Sequence, residues 1–269
     1  MCRPLPSSLA EIAIRLREAR TVSVFLDFDG TLAPLTPNPA DSYLDDAARA
    51  TLALLCGKER MLASVIGGRS AADLQARIRV AGLIYGGNHG LEIRGPNGGF
   101  IDPAAAAVRG PLERLSRRLE ISLGKIAGAR VEYKGLTTSV HYREVPAGDV
   151  PKVAQAVRAT LGPVGRLFRL RDSGQILEIL PKTTWTKGAA AKWINKRWAG
   201  EKPLSICFGG NPHDEDAFRA LADGITVKVG NPAQTRAIYF AVGPPAVHEF
   251  LAWLAKTWPA TTAAATPGH

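Results

Sequence analysis

The sequence predicts an α/β protein, a doubly wound and mostly parallel sheet with a smaller α+β domain inserted into it. Short apolar runs alternate with helical patterns in the first and last parts of the chain, which is typical of a parallel sheet with helices on both faces. The middle of the chain instead pairs short strands around glycine-containing turns. We therefore expect a core of residues 1–105 and 179–258 and a cap of residues 106–178.

The first part of the core predicts a regular alternation of strands and helices. Compact apolar runs bounded by turn residues are typical of buried strands, and the amphipathic stretches between them are typical of helices. The predicted strands are residues 22–26, 61–66 and 83–85, and the predicted helices are residues 45–55 and 70–78.

The middle and the end of the chain differ in their order of elements. A β-β-α-β-β block predicts a small antiparallel sheet with a covering helix. After this block, strands and helices alternate again as in the first part of the core. The block has strands at 130–133, 137–142, 167–171 and 175–180 and a helix at 150–161, after a first helix at about 111–125. Helices at 185–198, 213–221 and 246–258 and strands at 204–208, 225–229 and 238–242 follow. The Ala/Thr-rich tail, residues 259–269, is predicted to be disordered.

The chain of 269 residues carries a formal net charge of +10. Such a charge suits nucleic acid, but Arg and Lys are spread along the chain without a recognition motif. The densest basic group lies on a predicted helix among acidic residues, which favours a solvated helix face. We therefore expect no nucleic-acid partner, although a positive field would suit a small anionic substrate.

The sequence also bears on location. It has no apolar run long enough to span a bilayer, and the segment up to Arg20 lacks the apolar stretch of a signal peptide. The three cysteines show neither metal-ligand spacing nor a disulfide framework. These features favour a cytoplasmic protein with no membrane partner, and we expect a monomer or a weak homo-oligomer.

Two carboxylates, Asp27 and Asp29, follow the first predicted core strand, and the strand period of two points them the same way. Ligands of open parallel sheets bind beyond this edge. Two carboxylates leaving an apolar strand repel each other, and a cation such as Mg²⁺, which prefers oxygen ligands, removes that cost. Gly30 then permits a sharp turn, and Thr31 can donate a hydroxyl to an anion.

These parts are sufficient for phosphoryl transfer. One carboxylate can attack phosphorus and form an acyl phosphate. The other can protonate the leaving oxygen and later activate water. The alternative, that Asp27 and Asp29 are ordinary turn acids after a strand, is disfavoured by the Gly-Thr pair that follows and by supporting motifs elsewhere.

The segment Asp27-Phe28-Asp29-Gly30-Thr31 resembles the first motif of the haloacid-dehalogenase-like phosphatases. Further segments are similar to those of trehalose-6-phosphate phosphatases and occur in that family's order, from about residue 22 to residue 253. They are Ile66-Gly67-Gly68-Arg69-Ser70, Gly87-Asn88-His89-Gly90, Val131-Glu132-Tyr133-Lys134, His141-Tyr142-Arg143, Leu177-Glu178-Ile179-Leu180-Pro181, Thr186-Lys187-Gly188 and His213-Asp214-Glu215-Asp216. Each segment alone is weak, and the ordered set is specific.

The resemblance implies a role for each matching residue. Asp27 would be the nucleophile, Asp29 the general acid/base, and Lys187 the cation that holds the nucleophile and the phosphoryl group. Asp27 and Asp29 would bind Mg²⁺. The implied substrate is a sugar phosphate, contacted by Thr31, Gly67, Arg69, Asn88, His89, Glu132, Lys134, Arg143 and Glu178. Cross-strand ion pairing remains an alternative for the charged cap residues, and Arg69 could equally start a helix without a ligand.

Two motifs depart from the family's pattern. Gly67 replaces the Ser or Thr whose hydroxyl binds a phosphoryl oxygen, which leaves a backbone N–H as the donor. Losing one preorganised donor costs about 10²–10³ in rate. Gly210 replaces the acidic metal ligand of the fourth motif, so we expect Asn211 or Asp214 to bind the ion, directly or through water.

Several hypotheses follow. The favoured one is a Mg²⁺-dependent phosphatase, a hydrolase of carbohydrate metabolism that converts trehalose 6-phosphate to trehalose. The alternatives are a catalytically weakened homologue that binds sugar phosphate as a sensor or regulator, and a phosphatase of another sugar phosphate such as sucrose phosphate. A basic nucleic-acid-binding module is the weakest hypothesis.

Overall fold

The computed structural model describes residues 2–36 and 39–259, which form two compact units. The core unit comprises the described residues of 1–100 and 186–269, and the inserted unit comprises residues 101–185. The predicted cap lies within the inserted unit. The predicted tail, apart from Pro259, lies outside the described residues. Within those ranges, each helix is too short or too polar to cross a membrane.

A mostly parallel sheet of nine strands forms the centre of the described core unit. Its order is β1 (Arg3–Pro4), β13 (Tyr239–Ala241), β12 (Ile225–Val229), β11 (Leu204–Gly209), β2 (Val22–Leu26), β3 (Met61–Ile66), β4 (Ile84–Gly87), β5 (Glu92–Gly95) and β6 (Gly98–Ile101). Pairing is parallel from β1 to β4 and antiparallel between β4 and β5. The predicted α/β class with a mostly parallel sheet is confirmed.

The central strands of this sheet are apolar because they are buried between helices. Every residue of β2 is buried, as its run of Val, Phe and Leu requires. The helices are α1 (Leu9–Glu18), α2 (Asp46–Cys56), α3 (Ala71–Ile78), α7 (Lys187–Ile194), α8 (Asp214–Ala220) and α9 (Pro244–Thr257). Side-chain caps fix two helix starts that matter for the site. Ser70 accepts from the N–H of Asp73 at the start of α3, and Thr186 accepts from that of Ala189 in α7.

The inserted unit contains an antiparallel sheet and three helices. The strand order is β7 (Arg130–Tyr133), β8 (Thr138–His141), β10 (Ile176–Pro181) and β9 (Phe168–Asp172), and the helices are α4 (Pro103–Ala107), α5 (Arg109–Leu123) and α6 (Val150–Leu161). One face of the sheet contributes Val140 and Ile179 to an apolar core shared with α5 and α6. On the other face, Ser139 of β8 is paired with Glu132 of β7 on one side and with Glu178 of β10 on the other, so these three side chains lie next to one another.

Candidate active site

The sheet fixes the backbone at the end of β2. The N–H of Asp27 donates to the carbonyl oxygen of Phe208 in β11, at 3.0 Å. The chain then turns, because the N–H of Ala33 returns to the carbonyl of Phe28 and that of Gly30 donates to Ala33. Gly30 has φ +80°, a left-handed conformation that favours glycine. Asp27 therefore lies at the carboxyl edge of the sheet, as predicted.

A buried ion cluster surrounds Asp27. The ammonium of Lys187 lies 2.9 Å from Oδ1 of Asp27 and 2.5 Å from Oδ1 of Asp214. The side chains of Lys187 and Asp27 are each 4% exposed, and that of Asp214 is 0% exposed. Burial raises the pKa of Asp27 to about 7; the nearby Asp214 carboxylate adds to this rise, and Lys187 opposes it. Burial alone would lower the pKa of Lys187, but the two carboxylates outweigh it and raise that pKa.

Asn211 joins the two carboxylates of this cluster. Its side-chain amide donates to Oδ2 of Asp27 at 2.7 Å, and its backbone N–H donates to Oδ2 of Asp214 at 2.7 Å. Asn211 and Asp214, the residues expected to complete the metal site, therefore both lie in the cluster around Asp27 and are engaged with protein partners. Asn211 contacts Asp27 as a hydrogen-bond donor in this arrangement.

Two glycines, one at the end of β11 and one in α7, make room for the groups of the cluster. A side chain at Gly209 would place its Cβ 2.1 Å from the carboxyl carbon of Asp214, so only glycine fits there. A Cβ at Gly188 would come within 2.5 Å of the carbonyl oxygen of Asp216, where α7 packs on α8. Lys187 and Asp214, the first residues of these helices, are thereby held together.

Asp29 is bound by Arg69. Nε of Arg69 donates to Oδ2 of Asp29 and Nη2 donates to Oδ1, each at 2.8 Å, which is a two-pronged ion pair. Ser42 adds a hydrogen bond from Oγ to Oδ1 of Asp29, at 3.1 Å. Arg69 is buried and also contacts Asp73 and the carbonyl of Pro39. Asp29 is thus close to Asp27 in the chain but has its own set of partners.

Thr31 is a candidate for ligand binding. Its hydroxyl is buried and has no hydrogen-bond partner among the described residues. A buried, unsatisfied hydroxyl costs about 1–3 kcal/mol, so a ligand that accepted this hydrogen bond would be stabilised.

The loop after β4 places Asn88 and His89 in left-handed conformations, with φ of +51° and +60°. The amide of Asn88 donates to Glu92 at 2.8 Å, and the same carboxylate oxygen accepts from the N–H of Ala71 at the start of α3. The ring of His89 stacks on that of His213, with 3.7 Å between centroids. His213 precedes Asp214, so this stack connects the loop to the helix of the ion cluster.

The candidate substrate residues of the inserted unit form polar and ionic pairs with one another or with their neighbours. Nε2 of His141 lies 2.8 Å from Glu132, and the ammonium of Lys134 lies 3.9 Å from Glu178. Arg143 donates to the side chain of Gln175 at 2.5 Å. Cross-strand pairing, the alternative reading of these charges, is therefore present for the Glu132 and Lys134 pairs. Such pairing also presents acceptors and donors on a single polar face.

The donor set at Asp27 fits a magnesium ion. Two buried carboxylates face a single ammonium, which leaves one negative charge uncompensated within the group Asp27, Asp214 and Lys187. Carboxylate and carbonyl oxygens are the ligands that Mg²⁺ prefers. A divalent cation beside Asp27 would therefore relieve the charge that burial penalises.

Residues 25–237 match the family model described as trehalose-phosphatase. The chain belongs to this family. A trehalose-phosphate phosphatase of Mycobacterium leprae (strain TN) is 36% identical over 259 residues, which cover 88% of this chain and 58% of that protein. A protein of Mycobacterium tuberculosis (strain ATCC 25618 / H37Rv) named as an uncharacterized glycosyl hydrolase is 36% identical over 253 residues, covering 90% of this chain and 19% of that protein.

Solved structures of trehalose-phosphatases share the fold. The C-terminal domain of Candida albicans trehalose-6-phosphate phosphatase superposes with a TM-score of 0.80 at 21% identity, covering 95% of this chain and 98% of that one. The chain spans less than two thirds of the length of the first curated relatives that it matches.

At both departures from the trehalose-phosphatase pattern, Gly67 and Gly210, a backbone group forms a hydrogen bond within the protein. The N–H of Gly67, expected to donate to a phosphoryl oxygen, donates to the carbonyl of Gly86 in the sheet at 2.9 Å. At Gly210, the carbonyl oxygen accepts from the ammonium of Lys228 at 2.6 Å. Lys228 was not predicted as part of the site, because nothing in its own sequence context links it to the fourth motif.

Proposed function

We propose that this trehalose-phosphatase hydrolyses trehalose 6-phosphate to trehalose and phosphate through an aspartyl phosphate on Asp27. The observation that carries the proposal is the buried Asp27–Lys187–Asp214 cluster at the carboxyl edge of the sheet. Curated relatives at 32–37% identity that are named as trehalose-phosphate phosphatases support the substrate.

In the first step, a carboxylate oxygen of Asp27 forms a bond to phosphorus as the bond from phosphorus to the sugar oxygen breaks. Asp29, which must take up a proton before this step, gives that proton to the sugar oxygen, which leaves as the alcohol of trehalose. Lys187 remains beside the attacking carboxylate and offsets the negative charge that develops on the phosphoryl oxygens.

In the second step, water attacks the phosphorus of the aspartyl phosphate. Asp29 accepts a proton from that water, and the bond from phosphorus to Asp27 breaks to release phosphate. Asp29 is then protonated again and Asp27 is again a carboxylate, so the residues return to their starting state. The hydroxyl of Thr31 would donate to a phosphoryl oxygen, which supplies the partner that it lacks among the described residues.

Asp27, the backbone carbonyl of Asp29, and Asn211 or Asp214, directly or through water, would hold Mg²⁺. When bound, the ion would offset the charge of the phosphoryl oxygens. Gly210 contributes no side chain to this set, so we expect weaker binding than in a site with a further carboxylate.

The inserted unit would contact the sugar. Glu132, Lys134, Arg143 and Glu178 provide both acceptors for sugar hydroxyls and cations for a phosphate group. Their existing pairs would exchange partners with the substrate, because an ion pair with 3.9 Å between its atoms, as for Lys134 and Glu178, is loose. Variants Glu178→Gln and Lys134→Met should therefore raise KM with little change in kcat.

The test is phosphate release from a panel of sugar phosphates, with and without Mg²⁺, alongside thermal-shift binding to the same panel. We expect trehalose 6-phosphate to give the highest kcat/KM, and Asp27→Asn to abolish turnover while retaining binding. Binding without release by the unmodified protein would reject the enzyme and favour a sensor of sugar phosphate. A higher kcat/KM for sucrose phosphate would reject the substrate alone.

A further inference from the structure

Arg69 lies at the centre of a network that holds Asp29. Its guanidinium donates four hydrogen bonds to protein oxygens: two to Asp29, at 2.8 Å each, one to Asp73 at 3.0 Å and one to the carbonyl of Pro39 at 2.7 Å. A guanidinium has five N–H donors, so four are already used within the protein. The Arg69 side chain is only 9% exposed.

This pattern does not suit a phosphate clamp. Arginine binds phosphate by presenting two parallel N–H groups in a fork. Here Nε and Nη2 form that fork, and both point at the Asp29 carboxylate. To bind a phosphoryl group in the same way, Arg69 would have to release Asp29, whose carboxylate the reaction needs.

The same network fixes the segment that faces Asp29. Arg77, one helical turn beyond Asp73 on α3, donates to the carbonyls of Ala40 and Ser42 and to the carboxylate of Asp73. Ser42 in turn donates to Asp29. The Asp29 carboxylate thus accepts three hydrogen bonds from two side chains, which leaves it little rotational freedom.

We propose that Arg69 is a positioning residue for the acid/base carboxylate of Asp29, not a ligand of the phosphoryl group. The inference rests on the proposed function. Arg69 sets the orientation from which Asp29 delivers its proton to the sugar oxygen as the phosphorus–oxygen bond breaks. A carboxylate misplaced by about 1 Å can lose about 10² in rate.

Comparing two substrates with different leaving groups can distinguish a residue that positions Asp29 from a residue that binds the phosphoryl group. A sugar alkoxide must be protonated as it leaves, whereas p-nitrophenolate leaves as a stable anion without a proton. The kcat/KM for p-nitrophenyl phosphate therefore reports attack by Asp27 and binding of the phosphoryl group, without the proton from Asp29. A residue that orients Asp29 affects only the sugar substrate, and a residue that binds phosphate affects both.

The experiment measures kcat/KM for trehalose 6-phosphate and p-nitrophenyl phosphate in Arg69→Lys and Arg69→Gln. We expect each variant to lose about 100-fold on the sugar substrate and less than about threefold on p-nitrophenyl phosphate. Lysine retains the positive charge but cannot form the bidentate pair with Asp29. Arg69→Lys therefore still tests the inference if Arg69→Gln, which removes the charge, fails to fold. The matched control is Arg79→Gln at the exposed end of α3, whose guanidinium donates to the carbonyl of Ala76 and which should leave the ratio of the two constants unchanged.

A double-mutant cycle with Asp29→Asn completes the test. If Arg69 acts through Asp29, the double variant with Arg69→Gln should be no slower on trehalose 6-phosphate than Asp29→Asn alone. Equal losses on both substrates, additive losses in the cycle, or full activity of Arg69→Lys would each overturn the inference while leaving the proposed function intact. An unmodified protein that released phosphate from neither substrate would overturn the proposed function and this inference with it.

Discussion

The buried negative charge at Asp27 should cost the protein stability, and Asp27→Asn should recover it. Two buried carboxylates share one ammonium, so one charge is uncompensated within the group Asp27, Asp214 and Lys187. The pKa of Asp27 rises from 3.8 to about 7. At about 1.4 kcal/mol for each pH unit, this difference corresponds to about 4 kcal/mol.

The sign of the pH dependence follows from linkage. The folded protein binds the Asp27 proton more tightly than the unfolded chain does, so the protonated carboxyl favours folding. This stability is fully present below about pH 4 and is lost as the pH rises through about 7. Asparagine keeps the shape of the side chain and carries no charge, so Asp27→Asn should remove this loss.

The assay is urea denaturation of both proteins in EDTA, at pH 5 and at pH 8. We expect Asp27→Asn to raise the free energy of unfolding by a few kcal/mol at pH 8 and by much less at pH 5. The control is Asp46→Asn, whose side chain is 97% exposed and which should change little between the two pH values. A variant that is less stable at pH 8, or equally shifted at both pH values, would refute the charge argument.

Three further predictions concern the same site. Gly67→Ser should fold normally, because its Cβ would lie 3.8 Å from Oδ1 of Asp27 in ordinary contact, and steady-state kinetics should show kcat raised by up to about 10². Gly210→Ala should lower the free energy of unfolding by about 1–3 kcal/mol, since its Cβ would come 3.0 Å from the carbonyl of Val229. Gly210→Asp should have the same cost, but Mg²⁺ should stabilise it more than it stabilises the unmodified protein in a thermal-shift titration. Lys187→Met should abolish turnover and cost about 3–5 kcal/mol at pH 8 by urea denaturation, with a smaller loss at pH 5, where Asp27 is protonated.

Much of the fold could be predicted because its signals are local. The strand over Val22–Leu26 and the helix over Val150–Leu161 have the bounds expected from their apolar patterns. The pair β5 and β6, Glu92–Gly95 and Gly98–Ile101, was not predicted. These short strands contain several glycines and lie at the edge of the sheet, where few apolar residues mark a strand.

The location of the site could also be predicted, but its internal contacts could not. Two acidic residues after an apolar strand are visible in sequence, whereas the partners of Asp29 and Asp27 lie 40 and 184 residues away, at Arg69 and Asn211. Such pairs depend on how strands and helices come together. The same holds for the N–H of Gly67, whose partner Gly86 is chosen by the pairing of β3 with β4.

Asp27 lies beside position 67 and beside Asn211, the residue that follows Gly210. A side chain at Gly67 would lie beside Oδ1 of Asp27, while Asn211, next to Gly210, already donates to Oδ2. The ammonium of Lys187 also donates to Oδ1. Asp27 thus keeps its orientation through Lys187 and Asn211. Under the proposed function, the two glycines remove a donor for the phosphoryl group and a charge for the ion. Under the proposed function a hydroxyl at position 67 and a carboxylate at position 210 would both act on the phosphoryl group transferred to Asp27, the second through the ion, so the gains from Gly67→Ser and Gly210→Asp should couple in a double variant.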